Sequence, residues 1–371
     1  MYRYRVVEPE IGDEELKNVI EAVKSGWVSG HGKFVEEFEK SFSRYVGVKY
    51  GVATSSGTAA LHLALAALGV GPSDEVIVPD LTFAATINAV LYTGAKPVIV
   101  DICPDYWGID PEKVSKAITP RTKVIIAVHL YGHPCDMGAI REVAERHGIY
   151  IVEDAAEAHG AEYNGRKVGS FGDISCFSFY GNKIITTGEG GMCLTNDEEL
   201  SERMKILRNH GMNPKKRYWH ELVGFNYRMS NLLAALGVAQ LRRIEHFIEK
   251  KREIAKLYAE ELSVTDGITL HPEMSWAKCV YWLYTILAKH HKMRDNLVKR
   301  LLKYGIETRI MFYPLHEMPP YQKYAKGSYP ISSNVSKRGI SLPSSIKLNK
   351  SDLAYITQKI IDAISYIGRQ R

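Results

Sequence analysis

Short apolar runs alternate with longer amphipathic segments between about residues 12 and 250. Several runs are continuous, such as Val-Ile-Val at 76–78, which is typical of strands covered by helices on both faces. The pattern predicts strands at 50–54, 75–79, 97–101, 123–129, 149–154, 174–178 and 191–196, with helices that include 57–68, 83–92, 111–117 and 136–147. We therefore expect a three-layer αβα unit with a mainly parallel sheet, which binds ligands at the carboxyl ends of its strands.

The pattern changes near residue 230, where one long helical segment is predicted over 230–262. Beyond it the sequence predicts a small α+β unit. Its elements are strands at 281–288 and 308–311, helices at 293–304 and 350–367, and an irregular proline-rich segment at 314–330. We therefore assign residues 12–250 to a large domain, and residues 251–371 together with 1–11 to a small C-terminal domain.

The composition is that of an ordinary globular protein, with 45% hydrophobic and 24% charged residues in 371. The net charge of +6 is scattered, so short basic runs such as 250–252 predict solvated helix faces and no nucleic-acid partner. No apolar run approaches the ~20 residues that cross a bilayer, so no membrane association is expected. The five cysteines include no Cys-x-x-Cys pair, which favours reduced thiols in the cytoplasm.

Two residues carry the strongest chemical signal. Lys183 lies in the glycine-rich segment 178–191, and Asp154 ends an apolar strand upstream of it. Pyridoxal phosphate (PLP) requires an amine that bonds its aldehyde carbon and a carboxylate that keeps its ring nitrogen protonated. A buried anion facing a ring cation explains why Asp154 follows an apolar run, although a carboxylate there also fits a helix cap. Because both groups occur in an αβ chain, PLP is the predicted cofactor.

A phosphate site is predicted where the first strand meets its helix. Ser56, Gly57 and Thr58 begin that helix, and its N–H groups and partial positive charge suit a phosphate. Without a ligand, the same serine-rich start would be an ordinary helix cap. Phe83 opens a later helix, where its ring could stack on a pyridine ring or pack in the core.

Two further polar residues follow Asp154 closely. Glu157 is placed to hydrogen-bond near the ring hydroxyl, and His159 to stack on or orient the Asp154 partner. A structural role for His159 is equally compatible with the sequence. Glu153 precedes Asp154 and is expected to point to the opposite face of the strand.

Competing chemistries have weaker support. His129 and His133 have a metal-like spacing, but the intervening glycine breaks helical geometry, so no metal site is predicted. The chain has no Gly-x-Gly-x-x-Gly after its first strand, no Walker loop and no Gly-x-Ser-x-Gly elbow. Dinucleotide-dependent dehydrogenases, P-loop enzymes and serine hydrolases of the elbow type are therefore disfavoured.

Taken together, these motifs resemble the fold-type I PLP-dependent sugar aminotransferases of the DegT/DnrJ/EryC1/StrS family. The resemblance covers nearly the whole chain in order, with motifs at 24–30, 55–61, 74–79, 128–134, 153–160, 224–229, 312–316 and 340–343. It implies that Lys183 bonds the cofactor and shuttles protons, and that Asp154 pairs with the pyridinium. The cofactor's remaining contacts are then implied to be Gly57, Thr58 and Ser178 at the phosphate, Phe83 on the ring, Glu157 near the hydroxyl, and Asn226 at the phosphate in the neighbouring subunit.

The resemblance also implies a homodimer with composite active sites, L-glutamate as amino donor and a nucleotide-linked ketosugar as acceptor. Segments 178–192 and 218–220 are most similar to the GDP-perosamine synthases of this family, which aminate C4 of GDP-4-keto-6-deoxymannose. A UDP- or dTDP-linked 3- or 4-ketosugar remains an alternative. A related dehydratase carries histidine at the place of Lys183, so lysine favours transamination over dehydration. Sugar specificity is assigned to three loops, with candidate residues Trp27, Trp219, Tyr313 and His316.

Overall fold

The computed structural model describes residues 2–369. The helices are α1 (Asp13–Lys24), α2 (Lys33–Val46), α3 (Gly57–Ala67), α4 (Ala85–Tyr92), α5 (Pro111–Ala117), α6 (Met137–His147), α7 (Glu198–Arg208), α8 (Asn231–Arg242), α9 (Ile244–Leu262), α10 (His291–Lys303), α11 (Pro330–Arg338) and α12 (Lys350–Arg369). The strands are β1 (Tyr50–Thr54), β2 (Glu75–Pro79), β3 (Lys96–Val100), β4 (Thr122–Val128), β5 (Tyr150–Asp154), β6 (Glu162–Tyr163), β7 (Arg166–Lys167), β8 (Ile174–Ser178), β9 (Gly191–Thr195), β10 (Ile268–Thr269), β11 (Ala277–Lys278), β12 (Thr285–Ala288), β13 (Arg309–Ile310) and β14 (Gly339–Ser341).

Seven strands form the central sheet, in the order β1-β9-β8-β5-β4-β2-β3. Neighbours from β3 to β8 pair in parallel, whereas β9 runs antiparallel to both β8 and β1. The predicted mainly parallel sheet is therefore confirmed, with β9 as its one reversed strand. This direction places the carboxyl ends of β4, β5 and β8 at the same edge.

Alternate residues of β4 separate the two helical layers. Val124 and Ile126 pack in one core with side chains of α3 and α4. Ile125 and Ala127 pack in a second core with side chains of α5 and α6. Because successive side chains of a strand point to opposite faces, the sheet lies between two helical layers, as predicted.

Local caps set the helix boundaries around the sheet. The Asp136 side chain accepts the N–H of Ala139 at 3.1 Å, which starts α6. Gly148 ends the same helix at φ 63°, a left-handed conformation that glycine adopts without a Cβ clash. Asp110 caps α5 through the N–H groups of Glu112 and Lys113, with Pro111 in the first turn.

The C-terminal unit is built on a four-stranded sheet in the order β10-β12-β14-β13. Helices α10 and α12 and the second half of α9 supply the rest of its core. The start of the chain joins this unit, because Tyr4 pairs with Ile306 and the carbonyl of Val6 accepts the N–H of Ser344 at 2.8 Å. A third, three-stranded sheet has the order β11-β6-β7.

Two predicted elements differ from the structure. The single helix over 230–262 is broken at Arg243, whose φ of −106° and ψ of 2° separate α8 from α9. The strand predicted from residue 281 begins only at Thr285, because Tyr281 has a φ of 47°, which is incompatible with an extended strand. The predicted domain boundary at 250–251 falls inside α9, and the division into domains stays a prediction.

Candidate active site

A cavity of about 390 Å³ opens at the edge where β4, β5 and β8 end and α3 begins. The C-terminal unit closes its other side with residues 282, 283, 309, 310 and 312. The predicted cofactor residues that line this cavity are Ser56, Gly57, Thr58, Phe83, Asp154, Glu157, Ser178 and Lys183. The fold thus brings together groups that lie more than 100 positions apart in the sequence.

The N-terminus of α3 forms one wall of the cavity. The Ser56 hydroxyl caps the helix by accepting the N–H of Ala59 at 3.1 Å. The N–H groups of Gly57 and Thr58 lie in the first turn, where no intrahelical acceptor exists. A Cβ on Gly57 would lie 2.7 Å from the Cβ of Ser178. Glycine therefore allows the helix start and the end of β8 to form a tight cradle for an anion.

Asp154 occupies the last position of β5, and its side chain is buried. Its carboxylate accepts the hydroxyl of Thr86 at 2.8 Å and the N–H of Ala156 at 3.3 Å. It forms no ion pair with any residue between positions 2 and 369. Burial raises the pKa of Asp154 above its ordinary value, which the hydrogen bonds and the nearby Lys183 oppose. This buried carboxylate therefore lacks a cation within ion-pair distance.

Lys183 lies in the segment between β8 and β9, and its N–H donates to the carbonyl of Tyr180 at 2.9 Å. Its side chain is only 11% exposed. The Nζ atom lies 3.6 Å from Glu157 Oε1 and 3.8 Å from the centroid of the Trp282 ring. Burial lowers the pKa of Lys183, and the neighbouring carboxylates oppose that shift. A depressed pKa raises the share of neutral amine, which is the nucleophilic form.

Glu157 is the second buried carboxylate of the cavity. Its Oε2 accepts the N–H of Tyr131 at 2.8 Å, while Oε1 faces Lys183. Burial raises the pKa of Glu157 to about 7, against the opposing effect of Lys183. Burial thus shifts the pKa of Glu157 upward and that of Lys183 downward, so the two groups lie closer in acidity than in water.

An aromatic and a cationic group stand on the open side. Phe83 is 58% exposed, and its ring centroid lies 5.7 Å from that of Phe312. Arg309 supplies the only guanidinium of the cavity wall among the described residues. Its nearest carboxylate is Glu307, at 3.7 Å. The ring and the guanidinium are available to an aromatic and an anionic group respectively.

Sequence comparison identifies the family. The sequence profile of the DegT/DnrJ/EryC1/StrS aminotransferase family matches residues 9–361. The chain belongs to this family. It is 46% identical over 354 residues to GDP-perosamine synthase of Caulobacter vibrioides, which covers 95% of each chain. It is 44% identical over 356 residues to GDP-perosamine synthase of Escherichia coli O157:H7, covering 96% of this chain and 97% of the relative.

Solved structures of sugar aminotransferases share the fold. Streptomyces venezuelae DesV in complex with a ketimine intermediate superposes with a TM-score of 0.90 at 38% identity, covering 95% of this chain and 94% of that one. The PLP form of a putative sugar aminotransferase from Streptococcus pneumoniae gives 0.94 at 29% identity, covering 99% and 100%. The predicted fold class and the predicted PLP-dependent aminotransferase class are confirmed by this family membership.

The cavity of this family member fits PLP on three observations. The cradle between α3 and Ser178 has room for a phosphate only because residue 57 lacks a Cβ. The buried carboxyl of Asp154 has no cation within ion-pair distance, and a protonated ring nitrogen would supply one. Lys183 places an amine with a depressed pKa in the same cavity. The individual roles of these residues stay predictions.

Glu153 lies on the opposite face of β5 from Asp154, as expected. Its carboxylate accepts the N–H groups of Gly169, Phe171 and Gly172 at 2.6 to 2.7 Å. It also contacts Nε2 of His129 at 3.1 Å. Burial alone would raise the pKa of Glu153, but these hydrogen bonds hold it below its ordinary value. Glu153 therefore organises the backbone behind the site and does not line the cavity.

His159 lies outside the cavity wall. It is fully buried among Phe42, Phe177 and Phe179, with ring centroids 5.3 to 6.1 Å away. Neither ring nitrogen has a hydrogen-bond partner of normal geometry among the described residues. Burial lowers the pKa of His159 to about 3, which keeps the ring neutral. The expected orienting role next to Asp154 stays a prediction.

The other predicted residues do not line the cavity of the single chain. Asn226, Trp27, Trp219 and Tyr313 are exposed at the surface. His316 is held by Asp80, whose Oδ2 lies 2.6 Å from Nδ1, so the imidazole fastens the proline-rich segment to the end of β2. The substrate and partner-site roles of these residues stay predictions.

Several cavity residues were missed from the sequence. Thr86, Tyr131, Trp282, Arg309 and Phe312 contact Asp154, Glu157, Lys183 or the cavity itself. Trp282 and Arg309 belong to the C-terminal unit, and only tertiary packing brings them to the site. Arg309 lies three positions before the 312–316 motif, which was the one sequence signal near it.

Residues 2–369 contain neither a candidate membrane span nor a metal-binding cluster. No helix in that range is long and apolar enough to cross a membrane. In the same range, no group of three or more His, Cys, Asp or Glu side chains is arranged to hold a metal ion. His129 and His133 each have separate partners: Nδ1 of His129 accepts the N–H of Cys135 at 3.0 Å, and Nε2 of His133 accepts that of Met274 at 3.1 Å.

Proposed function

We propose that this aminotransferase moves the amino group of L-glutamate to C4 of GDP-4-keto-6-deoxymannose and so forms GDP-perosamine. The proposed substrate rests on the near full-length similarity to three GDP-perosamine synthases, at 44% to 46% identity. The chemistry rests on a buried lysine and a buried unpaired aspartate in one cavity. An alternative acceptor is a UDP- or dTDP-linked 3- or 4-ketosugar, because relatives at 40% identity include a dTDP-amino-sugar transaminase.

Four groups of this chain would hold PLP. The first turn of α3 and Ser178 would bind its phosphate, Asp154 its ring nitrogen, Phe83 one face of its ring, and Lys183 its aldehyde carbon. Glu157 would lie near the ring hydroxyl. When bound, PLP supplies an electron-accepting ring that stabilises negative charge on the carbon of the amino donor.

The protein's part in the reaction is proton transfer and orientation. Lys183 Nζ would take the α-proton of glutamate as a general base and, once protonated, would return a proton as a general acid. Glu157, whose Oε1 lies 3.6 Å from Nζ, would hold the amine in the cavity. Asp154 would pair with the ring nitrogen of bound PLP and favour its protonated form. With the ketosugar as acceptor, Lys183 would carry out the same proton transfers in reverse order.

Arg309 binds a carboxylate of the amino donor in this proposal. It is the cation of the wall opposite α3, and Glu307 at 3.7 Å leaves its guanidinium incompletely paired. A guanidinium binds a carboxylate through two parallel hydrogen bonds, which orients as well as attracts the donor. The donor's α-carbon would thereby be fixed relative to Lys183.

The active unit is a homodimer in this proposal. One face of α1 exposes Leu16, Ile20 and Val23, which are 43% to 57% exposed, and Trp27 follows it at 62%. An apolar stripe of this size on a helix is typical of a subunit interface. Asn226 would contact the cofactor phosphate of the neighbouring copy. The five free cysteines favour a reducing, cytoplasmic location.

An amino-transfer assay tests the function. Purified protein, PLP and glutamate are incubated with GDP-4-keto-6-deoxymannose and, in parallel, with UDP- and dTDP-4-keto-6-deoxyglucose, and the products are identified by mass. We expect a GDP-aminosugar from the wild type, none from Lys183→Ala, and full activity from the surface control Lys205→Ala. If only another sugar is aminated, the proposed acceptor is wrong but the proposed amino-transfer reaction stands. Conversion of no ketosugar, with PLP and glutamate present, would refute the proposal.

A further inference from the structure

A second buried lysine lies behind the active site. Lys251 on α9 is 4% exposed, and its Nζ donates to the backbone carbonyl of Trp282 at 2.9 Å. It forms no ion pair with any residue in the described range 2–369. Burial lowers the pKa of Lys251 to about 7. A buried ammonium without a carboxylate is costly, so its single hydrogen bond requires an explanation.

Trp282 contacts both Lys251 and Lys183. Its indole N–H donates to the carbonyl of Asn182 at 2.6 Å, and its ring lies under Nζ of Lys183. The ring also forms part of the cavity wall. Lys183 and Lys251 both line a small void between α9 and the N-terminal segment. The backbone of Trp282 is therefore held by one lysine while its ring contacts the other.

Residues 281–284 lie between β11 and β12 and belong to neither strand. Tyr281 has a φ of 47°, and β12 starts only at Thr285. On its other side, a Cβ on Gly132 would come within 3.0 Å of the Trp282 backbone nitrogen, so the segment lies tightly against the turn after β4. A strained, non-strand segment needs side-chain anchors to stay in place. Lys251 is such an anchor at the carbonyl of Trp282.

We propose that Lys251 is a positioning residue: its Nζ donor fixes the Trp282 carbonyl, and the indole thereby holds Lys183 Nζ in the geometry for reaction. This inference rests on the proposed role of Lys183 in PLP chemistry. Loss of the Lys251 donor would leave the Trp282 carbonyl without this hydrogen bond. A shift of about 1 Å in a reacting group lowers rates by up to ~100-fold, so an effect on the chemical step is expected.

The test compares Lys251→Met, Lys251→Arg and Trp282→Leu, with Lys250→Met as the matched control on the exposed face of the same helix. The glutamate half-reaction of the PLP-loaded protein is followed in single turnovers by absorbance. We expect Lys251→Met to lower the limiting rate about 10-fold with an almost unchanged KM for glutamate. Lys251→Arg, which keeps the donor, is expected to restore most of the rate, and Lys250→Met to match the wild type.

A double variant shows whether Lys251 acts through Trp282. If it does, Lys251→Met should add almost nothing to Trp282→Leu, because the anchored ring is already gone. A rate equal to the product of the two single losses would overturn the inference, as would a wild-type rate for Lys251→Met. If Lys251→Met does not fold, Lys251→Gln, whose amide is too short to reach the carbonyl, replaces it with the same expected loss.

A second readout separates this inference from the proposed function. The rate at which PLP bonds Lys183 in the apo protein is measured by borohydride trapping and mass determination of the labelled peptide. We expect slower bonding in Lys251→Met than in Lys250→Met. A wild type that bonds PLP but does not convert glutamate would refute the proposed function alone, whereas equal bonding rates in both variants would refute the role of Lys251.

Discussion

Adding one methyl group at Gly57 should test the phosphate cradle directly. Gly57 is the first residue of α3 and has helical backbone geometry, so alanine there causes no backbone strain. Its Cβ, however, would lie 2.7 Å from Ser178 Cβ and 3.3 Å from Ser178 Cα. These atoms belong to the end of a buried strand and cannot rotate away. The start of α3 must therefore move.

The size of the effect follows from this contact. Carbon atoms approach to about 3.5–4.0 Å, so the helix start and β8 must separate by about 1 Å. Two N–H groups aimed at a phosphate would then lose good hydrogen-bond distance. Hydrogen bonds to a charged group contribute about 1.5–3 kcal/mol each. A combined loss of about 3 kcal/mol corresponds to roughly 100-fold weaker binding of PLP to Gly57→Ala.

The assay is a titration of apo protein with PLP, followed by protein fluorescence. Gly71→Ala is the matched control, because Gly71 follows the same helix and a Cβ there would meet no atom within 4 Å. We expect Gly57→Ala to lose affinity about 100-fold and Gly71→Ala to bind like the wild type, with both variants folded by circular dichroism. Wild-type affinity in folded Gly57→Ala would refute the phosphate site at α3.

Three further substitutions test the charged groups of the cavity. Asp154→Asn should slow the glutamate half-reaction about 100-fold or more in single turnovers while PLP still bonds Lys183; an unchanged rate would remove Asp154 from the mechanism. The pKa of Glu157 is raised by burial to about 7 from an ordinary 4.5, so the contribution of this carboxyl to apo-protein stability falls as the pH rises through that window. The melting temperature of Glu157→Gln should therefore rise relative to that of the wild type between about pH 5 and pH 8. A melting-temperature difference that stays constant over this range would contradict the raised pKa. Arg309→Gln should raise the KM for glutamate about tenfold or more while the ketosugar half-reaction changes less; equal losses in both would assign Arg309 elsewhere.

The sheet could be predicted closely because its strands are continuous apolar runs with polar or glycine boundaries. Strands β1, β2 and β8 have the predicted bounds. The break at Arg243 could not be predicted, since arginine and its neighbours favour helix and the break depends on packing between α8 and the N-terminal segment. Arg243 is held there by Glu10 and by Glu15, the latter at 3.2 Å.

For the site, too, some residues could be predicted from the sequence and others could not. Asp154, Lys183 and the start of α3 could be found because each follows directly from a strand in the sequence, and the parallel sheet brings strand ends together. Trp282 and Arg309 enter the cavity from the other unit, and no local pattern records that contact. Trp282 lay within a predicted strand, and its role depends on the left-handed conformation of Tyr281, which an ordinary non-glycine sequence does not reveal.

Helix α9 packs in the cores of both units. Its first residues, including Phe247 and Ile248, lie in the core next to the central sheet, and its later residues, including Tyr258 and Leu262, lie in the core of the C-terminal unit. At 1.5 Å per residue, this 19-residue helix is about 28 Å long. A tilt of about 5° at its start would displace its far end by about 2.5 Å. The ion pairs of Arg243 lie at the start of this helix, and Lys251 further along it bonds the carbonyl of Trp282 in the cavity wall.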